Sequence, residues 1–292
     1  MRTYRISFTS HYAYGNAAQR GFHAVRLAPR DSFGQDVLSV GLTVDPEPRR
    51  IGNHGDFFGN PVHWFTIDDA HENLVLKMLA DVRVDRKPTL LGRDLDVNTV
   101  ASQALLATDL GPTGPAHYLS ATPFTQPDDA LATFSQQMFP ATANIQQASL
   151  VCAQHIQSAF RYDGSVTDVS TTASQALTMR AGVCQDFTHI MLAALRIAGV
   201  PAKYVSGYLR TDPPPGQPKL VGADAMHAWV SVWCGGDAGW IDYDPTNGCE
   251  VSHDHISVAI GRDYSDTAPV RGEVFGSGEQ DHTVAVDVLE LV

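Results

Sequence analysis

Three things are scarce in this 292-residue chain. Cysteine occurs four times, at 152, 184, 234 and 249, with no Cys-x-x-Cys pair. Such spacing excludes a disulfide framework and a zinc ribbon; free thiols suit a reducing cytoplasm, and no metal or cofactor is expected. Basic residues are outnumbered, 20 Lys and Arg against 32 Asp and Glu, and no basic run occurs. Neutralising phosphates takes clustered cations, so a nucleic-acid partner is not expected. No apolar run approaches the roughly 20 residues that a membrane helix needs. The most apolar stretch, Ile190 to Val200, is interrupted by Arg196. The N-terminus alternates polar and apolar residues instead of presenting a basic start and an apolar block, so neither a signal peptide nor membrane contact is expected.

What is present is patterned. Tyr4, Ile6 and Phe8 fall on one face of a period-two segment. Leu38, Val40, Leu42 and Val44 do the same, as do Leu74, Leu76, Met78, Ala80, Val82 and Val84. Alternation of this length predicts half-buried strands. With turn clusters such as "APRDSFG" and "DFFGNP" between them, residues 1–90 are expected to form a small β-sandwich-like domain. Residues 91–127, rich in Gly, Pro, Ser and Thr, read as a connector. A core over 128–292 follows, closed by the strand "TVAVDVLELV". Its first helix is expected after Asp128, and a second carries Ile145, Ala148, Cys152, Ile156 and Ala159 on one face. Cys152 on that stripe reads as a core residue. The overall class is α+β.

Cys184 is different. It stands between Gly182 and a long apolar helix that Gly199 and Pro201 end. It can be a buried core thiol, a metal ligand or a nucleophile. At a helix N-terminus the unpaired N–H groups favour a thiolate, which is the reactive form. Asp186 reads as a first-turn acid, able to pair with His189 three residues on. A cysteine nucleophile also needs an imidazole held by a third polar group. His227 begins "HAWVSVWC", with Trp229, Ser231 and Trp233 on its face. A "GGDA" turn leads to "GWIDYDPTNG", in which Trp240, Asp242 and Asp244 share a face. Either aspartate can hold the histidine, and the tryptophans read as packing. "SHDH" at 252–255 reads as solvated polar residues in a loop. The proline-rich run 211–226, leading into His227, is an expected flap on the substrate side.

Three blocks, "AGVCQDFTHIMLAALRIAGVPAKYVSGYL", "DAMHAWVSVW" and "GWIDYDPTNG", resemble those of the transglutaminase-like superfamily. In the first half, "RLAPRDSFGQDVLS" and "DFFGN" resemble the β-rich domain that precedes this core in bacterial members. The resemblance implies a papain-like core, with helices packed on an antiparallel sheet. It implies Cys184 as nucleophile, His227 as base and Asp244 as orienter, and a peptide or protein amide as substrate. The expected activity is thiol-dependent acyl transfer or hydrolysis through a thioester. Hydrolysis, as by a protease or amidase, is preferred over cross-linking. The competing readings are a non-catalytic protein-binding module of the same fold and a zinc protein.

Overall fold

The computed structural model describes residues 1–86, 93–212, 222, 224–276 and 278–291. Most of the run read as a flap, 213–221 and 223, lies outside these described residues.

Six strands open the chain: β1 (Arg2–Ala18), β2 (Arg20–Val25), β3 (Gln35–Asp45), β4 (Arg50–Gly55), β5 (Pro61–Ile67) and β6 (His71–Val84). β1, β2 and β6 follow from their alternation, which puts successive side chains on opposite faces, whereas β4 is exposed along nearly its whole length. Tyr4, Ile6 and Phe8 stand opposite Val82, Ala80 and Met78 across the β1–β6 ladder, and all six are buried. In β3 the expected buried face is mostly open. That strand lies at a sheet edge, its register shifts between Val37 and Ser39, and only Val44 of its four apolar positions is buried.

The helical half contains α1 (Val97–Leu105), α2 (Asp129–Met138), α3 (Ile145–Ala159), β7 (Arg161–Tyr162), α4 (Ala173–Met179), β8 (Ala181–Gly182) and α5 (Cys184–Ile197). The stretch read as a connector thus holds a helix, α1, whose cap Asp96 accepts the Thr99 N–H and whose Val97, Val100 and Ala104 are buried. Asp128 caps α2 by accepting the Leu131 N–H at 2.8 Å. In α3, Ile145, Ala148, Cys152 and Ile156 are buried on the expected stripe. The end of α5 closes in a Schellman pair: Gly199 N–H donates to Arg196 and Val200 N–H to Leu195. Arg196, which interrupts the apolar run, is buried but fully engaged. Its guanidinium donates to the carbonyls of Tyr118, Ala202 and Arg262 and to the Thr125 hydroxyl. A charge this deep is tolerated only with such partners.

The chain then forms β9 (Ala202–Leu209), β10 (Ala225–Trp233), β11 (Trp240–Asp244), β12 (Cys249–Glu250) and β13 (His255–Gly261). They make one antiparallel sheet in the order β12-β11-β10-β9-β13. Trp233 pairs with Trp240 across the expected hairpin. Helix α5 packs against this sheet: Ile190, Met191 and Ala194 share a core with Tyr204, Ala228, Val230 and Val232. Tyr208, Ile256 and Val258 instead enter the core of the sandwich. One sheet therefore serves two cores, and the fold is α+β with helices on an antiparallel sheet beside a β-sandwich.

After α6 (Tyr264–Thr267) come β14 (Val270–Phe275) and β15 (Gln280–Leu291). Their pairing corrects the expected boundary at 128–292. β14 pairs with β2 and β15 with β1, so the chain end returns to the sandwich. The cause is the open edge of β1, where Val286 and Val288 stand opposite Phe8 and Ile6 and are buried beside them.

Candidate active site

Cys184 is the first residue of α5 and is only partly buried. The entry into the helix is held by Asp186, whose Oδ2 accepts the Val183 N–H at 2.8 Å and the Thr167 hydroxyl at 2.8 Å. Asp186 is thereby committed to the helix start. The expected pairing with His189 does not form. His189 is fully buried, stacks on Phe124 at 4.7 Å and accepts the Tyr264 N–H at 3.3 Å. Gln185 also points away, its amide donating to the Val169 carbonyl at 3.1 Å.

His227 lies near the start of β10, opposite Gly207 of β9. Its Nε2–H donates to Asp244 Oδ2 at 2.8 Å. The Cys184 thiol is a hydrogen-bonding neighbour of the same imidazole. With Nε2 committed to the carboxylate, Nδ1 is the nitrogen left for sulfur. Burial alone would lower the imidazole pKa, but hydrogen bonds to Asp244 and Cys184, with their charges, raise it to about 10. Asp244 is fully buried at the end of β11. Burial would raise its pKa, yet the hydrogen bonds and charges of His227 and His255 hold it far below the ordinary carboxylate range.

Asp242 does other work. Its Oδ2 accepts the Trp229 indole N–H at 3.2 Å and lies 3.4 Å from the Arg86 guanidinium. It therefore ties the sheet that carries His227 to Arg86, two residues beyond the end of β6.

Two neighbours escape a reading of the sequence. Tyr162 of β7 has its phenol near the Cys184 thiol, and burial with the charges of Cys184 and Asp186 raises the phenol's pKa. β7 pairs in parallel with β8, which ends one residue short of Cys184, and this places the ring. His255 is the second. The loop expected at 252–255 ends in a strand, and His255, its first residue, is buried. Its Nε2 contacts Asp244 Oδ2 at 3.0 Å. The apolar alternation after His255 was the available signal for a strand, but nothing local points to Asp244.

His227, Asp244 and His255 bring three possible ligand atoms within 4.8 Å of one another. The donor chemistry favours hydrogen bonds there. Ser252 N–H donates to His255 Nδ1 at 3.3 Å, so the His255 proton sits on Nε2, where a cation would need a lone pair. Cys184 is joined to this group through the other face of His227.

The profile of the bacterial transglutaminase-like N-terminal region matches residues 4–83, and that of the transglutaminase-like superfamily matches residues 132–245. An uncharacterized protein of Mycobacterium tuberculosis is 34% identical, covering 98% of this chain and 92% of the relative. One of Mycobacterium leprae is 30% identical, covering 98% of each. A protein-glutamine gamma-glutamyltransferase of Pseudomonas aeruginosa is 40% identical over 68 residues, 23% of this chain and 10% of that protein. Among solved structures, one from Cytophaga hutchinsonii, described as a candidate cysteine protease, superposes with a TM-score of 0.76 at 20% identity, over 100% of this chain and 91% of that one.

Proposed function

Because the chain belongs to the transglutaminase-like superfamily, whose members are usually thiol enzymes, we propose that it cleaves or transfers acyl groups at peptide-like amides, with Cys184, His227 and Asp244 as its catalytic residues. The observation that carries this reading is His227, which lies beside the Cys184 thiol and donates to Asp244 at 2.8 Å.

In this reading the proton of Cys184 rests on His227 before substrate binds. The thiolate attacks the amide carbonyl carbon, and the C=O π electrons move to oxygen. As the tetrahedral species collapses, the C–N bond breaks, His227 gives its proton to the departing nitrogen, and a thioester remains. Water then attacks that thioester and His227 takes its proton; the C–S bond breaks, and the acid leaves as the Cys184 thiolate re-forms beside the protonated imidazole. Asp244 keeps the imidazole in one tautomer and stabilises its charged form. The Cys184 backbone N–H, unpaired at the helix start, is a donor for the oxyanion. Hydrolysis is preferred to transfer, because transfer needs a site built for a second amine. The four unpaired thiols fit a reducing, cytoplasmic setting.

The test is a screen of peptide and carboxamide substrates, following ammonia, released amine and cross-linked product, with Cys184→Ala as the blank. Turnover that the blank lacks is expected. Equal signal from both proteins on every substrate would remove the proposal.

A further inference from the structure

Asp244 carries more than a single imidazole requires. Its Oδ1 accepts the backbone N–H groups of Thr246 at 2.8 Å and Asn247 at 3.1 Å. Its Oδ2 accepts the Asn247 amide at 2.6 Å, His227 at 2.8 Å and His255 at 3.0 Å. We propose that His255 is a positioning residue, a fixed neutral donor that sets the orientation and pull of Asp244 on His227. The inference rests on the thiol-enzyme reading given above.

The proton inventory supports it. His255 accepts from Ser252 at Nδ1 and donates to Asp244 from Nε2. Only a neutral imidazole does both. The charged and titratable groups facing it are Asp244 from β11, His227 from β10 and Arg86 beyond β6. Burial, His227 and Arg86 disfavour a charge on His255, and Asp244 alone favours one, with a net lowering of its pKa. The ring is also held from the side. Trp229 meets it edge-on at 5.3 Å, and Trp229 is itself pinned by Asp242.

The consequence is chemical. His227, His255 and the Asn247 amide share one carboxylate oxygen, so each bond moderates the others. A carboxylate with one donor fewer would grip the imidazolium harder and delay its gift of a proton to the leaving nitrogen. His255 thus tempers the base and adds to the bonds from Thr246 and Asn247 that keep the carboxylate from turning.

The experiment compares wild type, His255→Leu and His255→Gln. Alkylation of Cys184 by iodoacetamide is followed against pH, and the step in rate that marks deprotonation of His227 is located. Removing the donor is expected to move that step up by about one pH unit, a roughly tenfold change in the His227 proton equilibrium. Gln, which keeps an N–H donor, is expected to restore the wild-type position. A step unmoved in His255→Leu, or moved equally in His255→Gln, overturns the proposal. Should the leucine variant fail to fold, ¹⁵N NMR of histidine-labelled wild type decides. His255 is expected to stay neutral with its proton on Nε2 throughout the neutral range; a charged ring, or a proton on Nδ1, overturns the role. The two readings fail separately. Slow alkylation of Cys184 in wild type removes the thiol-enzyme reading, and the role of His255 with it. Fast alkylation with no shift in the leucine variant removes only the role of His255.

Discussion

The Trp229 indole donates to Asp242 at 3.2 Å, while the imidazole two residues before it donates to Asp244 at 2.8 Å. Two carboxylates on one strand face therefore have separate duties. Asp244→Asn is expected to lower turnover by about 10²–10⁴, the range seen when a triad carboxylate is neutralised. Asp242→Asn keeps an acceptor for Trp229 and loses the charge that faces Arg86 and Lys203. Turnover within about tenfold of wild type is expected, with a loss of roughly 1–3 kcal/mol in stability. Steady-state kinetics and urea unfolding of the two variants check this. A dead Asp242→Asn beside an active Asp244→Asn would exchange their roles.

The four thiols should differ sharply. Burial raises the pKa of Cys152 and Cys234, and it raises Cys249 to about 11, with Asp244 and Glu250 adding to the effect. Among the described residues, Cys184 is the thiol with both an imidazole and a phenol near it. At mildly acid pH, iodoacetamide should label Cys184 first, as mass spectrometry of peptides would show. Tyr162→Phe removes a donor to the thiolate from a side chain that is 60% exposed. That labelling should slow by roughly 3–10-fold, the worth of one hydrogen bond, with the melting temperature unchanged. Equal labelling of all four thiols would contradict the arrangement.

How much of this was legible follows from what each residue depends on. Cys184 is marked locally, by glycine before it and a long apolar helix after it. His227 and Asp244 sit on strands whose alternation is plain and whose turn is short, so their closeness could be anticipated. His255 could not. Its partner lies 11 residues away, and the contact exists because β13 pairs with β9 on the far side of β10. The last strand shows the same limit. Its period-two pattern says strand, but only the open edge of β1 decides that it joins the sandwich. In β3 the pattern promised burial that an edge position withholds.

Lys203 gives a prediction about pH. It is buried on β9, with its ammonium 3.5 Å from the centre of the Trp240 ring and 5.2 Å from that of Tyr118. Burial lowers its pKa to about 7; Asp242 opposes this and Arg30 adds to it. The unfolded chain holds that proton up to about 10.5. Between pH 7 and that value Lys203 carries more proton in the unfolded state, so its own contribution to stability rises with pH across the window, opposed there by His227, whose pKa is raised to about 10. Below it the full cost of a buried charge remains. Lys203→Met should therefore stabilise the fold by about 1–3 kcal/mol at acid pH, after loss of the ring contact, and by little near the upper end. Urea midpoints on both sides of the window read this directly. A gain independent of pH would show that Lys203 titrates as an ordinary lysine.

Gly207 tests whether the packing behind the site matters. It stands opposite His227 on one neighbouring strand and Ser257 on the other. A Cβ at this position would run into the Ile256 carbonyl and the six-membered ring of Trp229. The carbonyl belongs to the ladder and cannot move freely, so the indole must give way. Trp229 would then leave Asp242 and lose its edge contact with His255. Gly207→Ala is expected to cost about 3 kcal/mol, as overpacking of a tight core does. It should also reduce turnover in the fraction that remains folded. Gly41 on β3 is the control, since a Cβ there meets nothing within 4 Å. Gly41→Ala should leave turnover unchanged and stability equal or slightly higher. If both alanines behave alike in thermal melts and in Cys184 alkylation, Trp229 is not the wedge that holds the two histidines to Asp244.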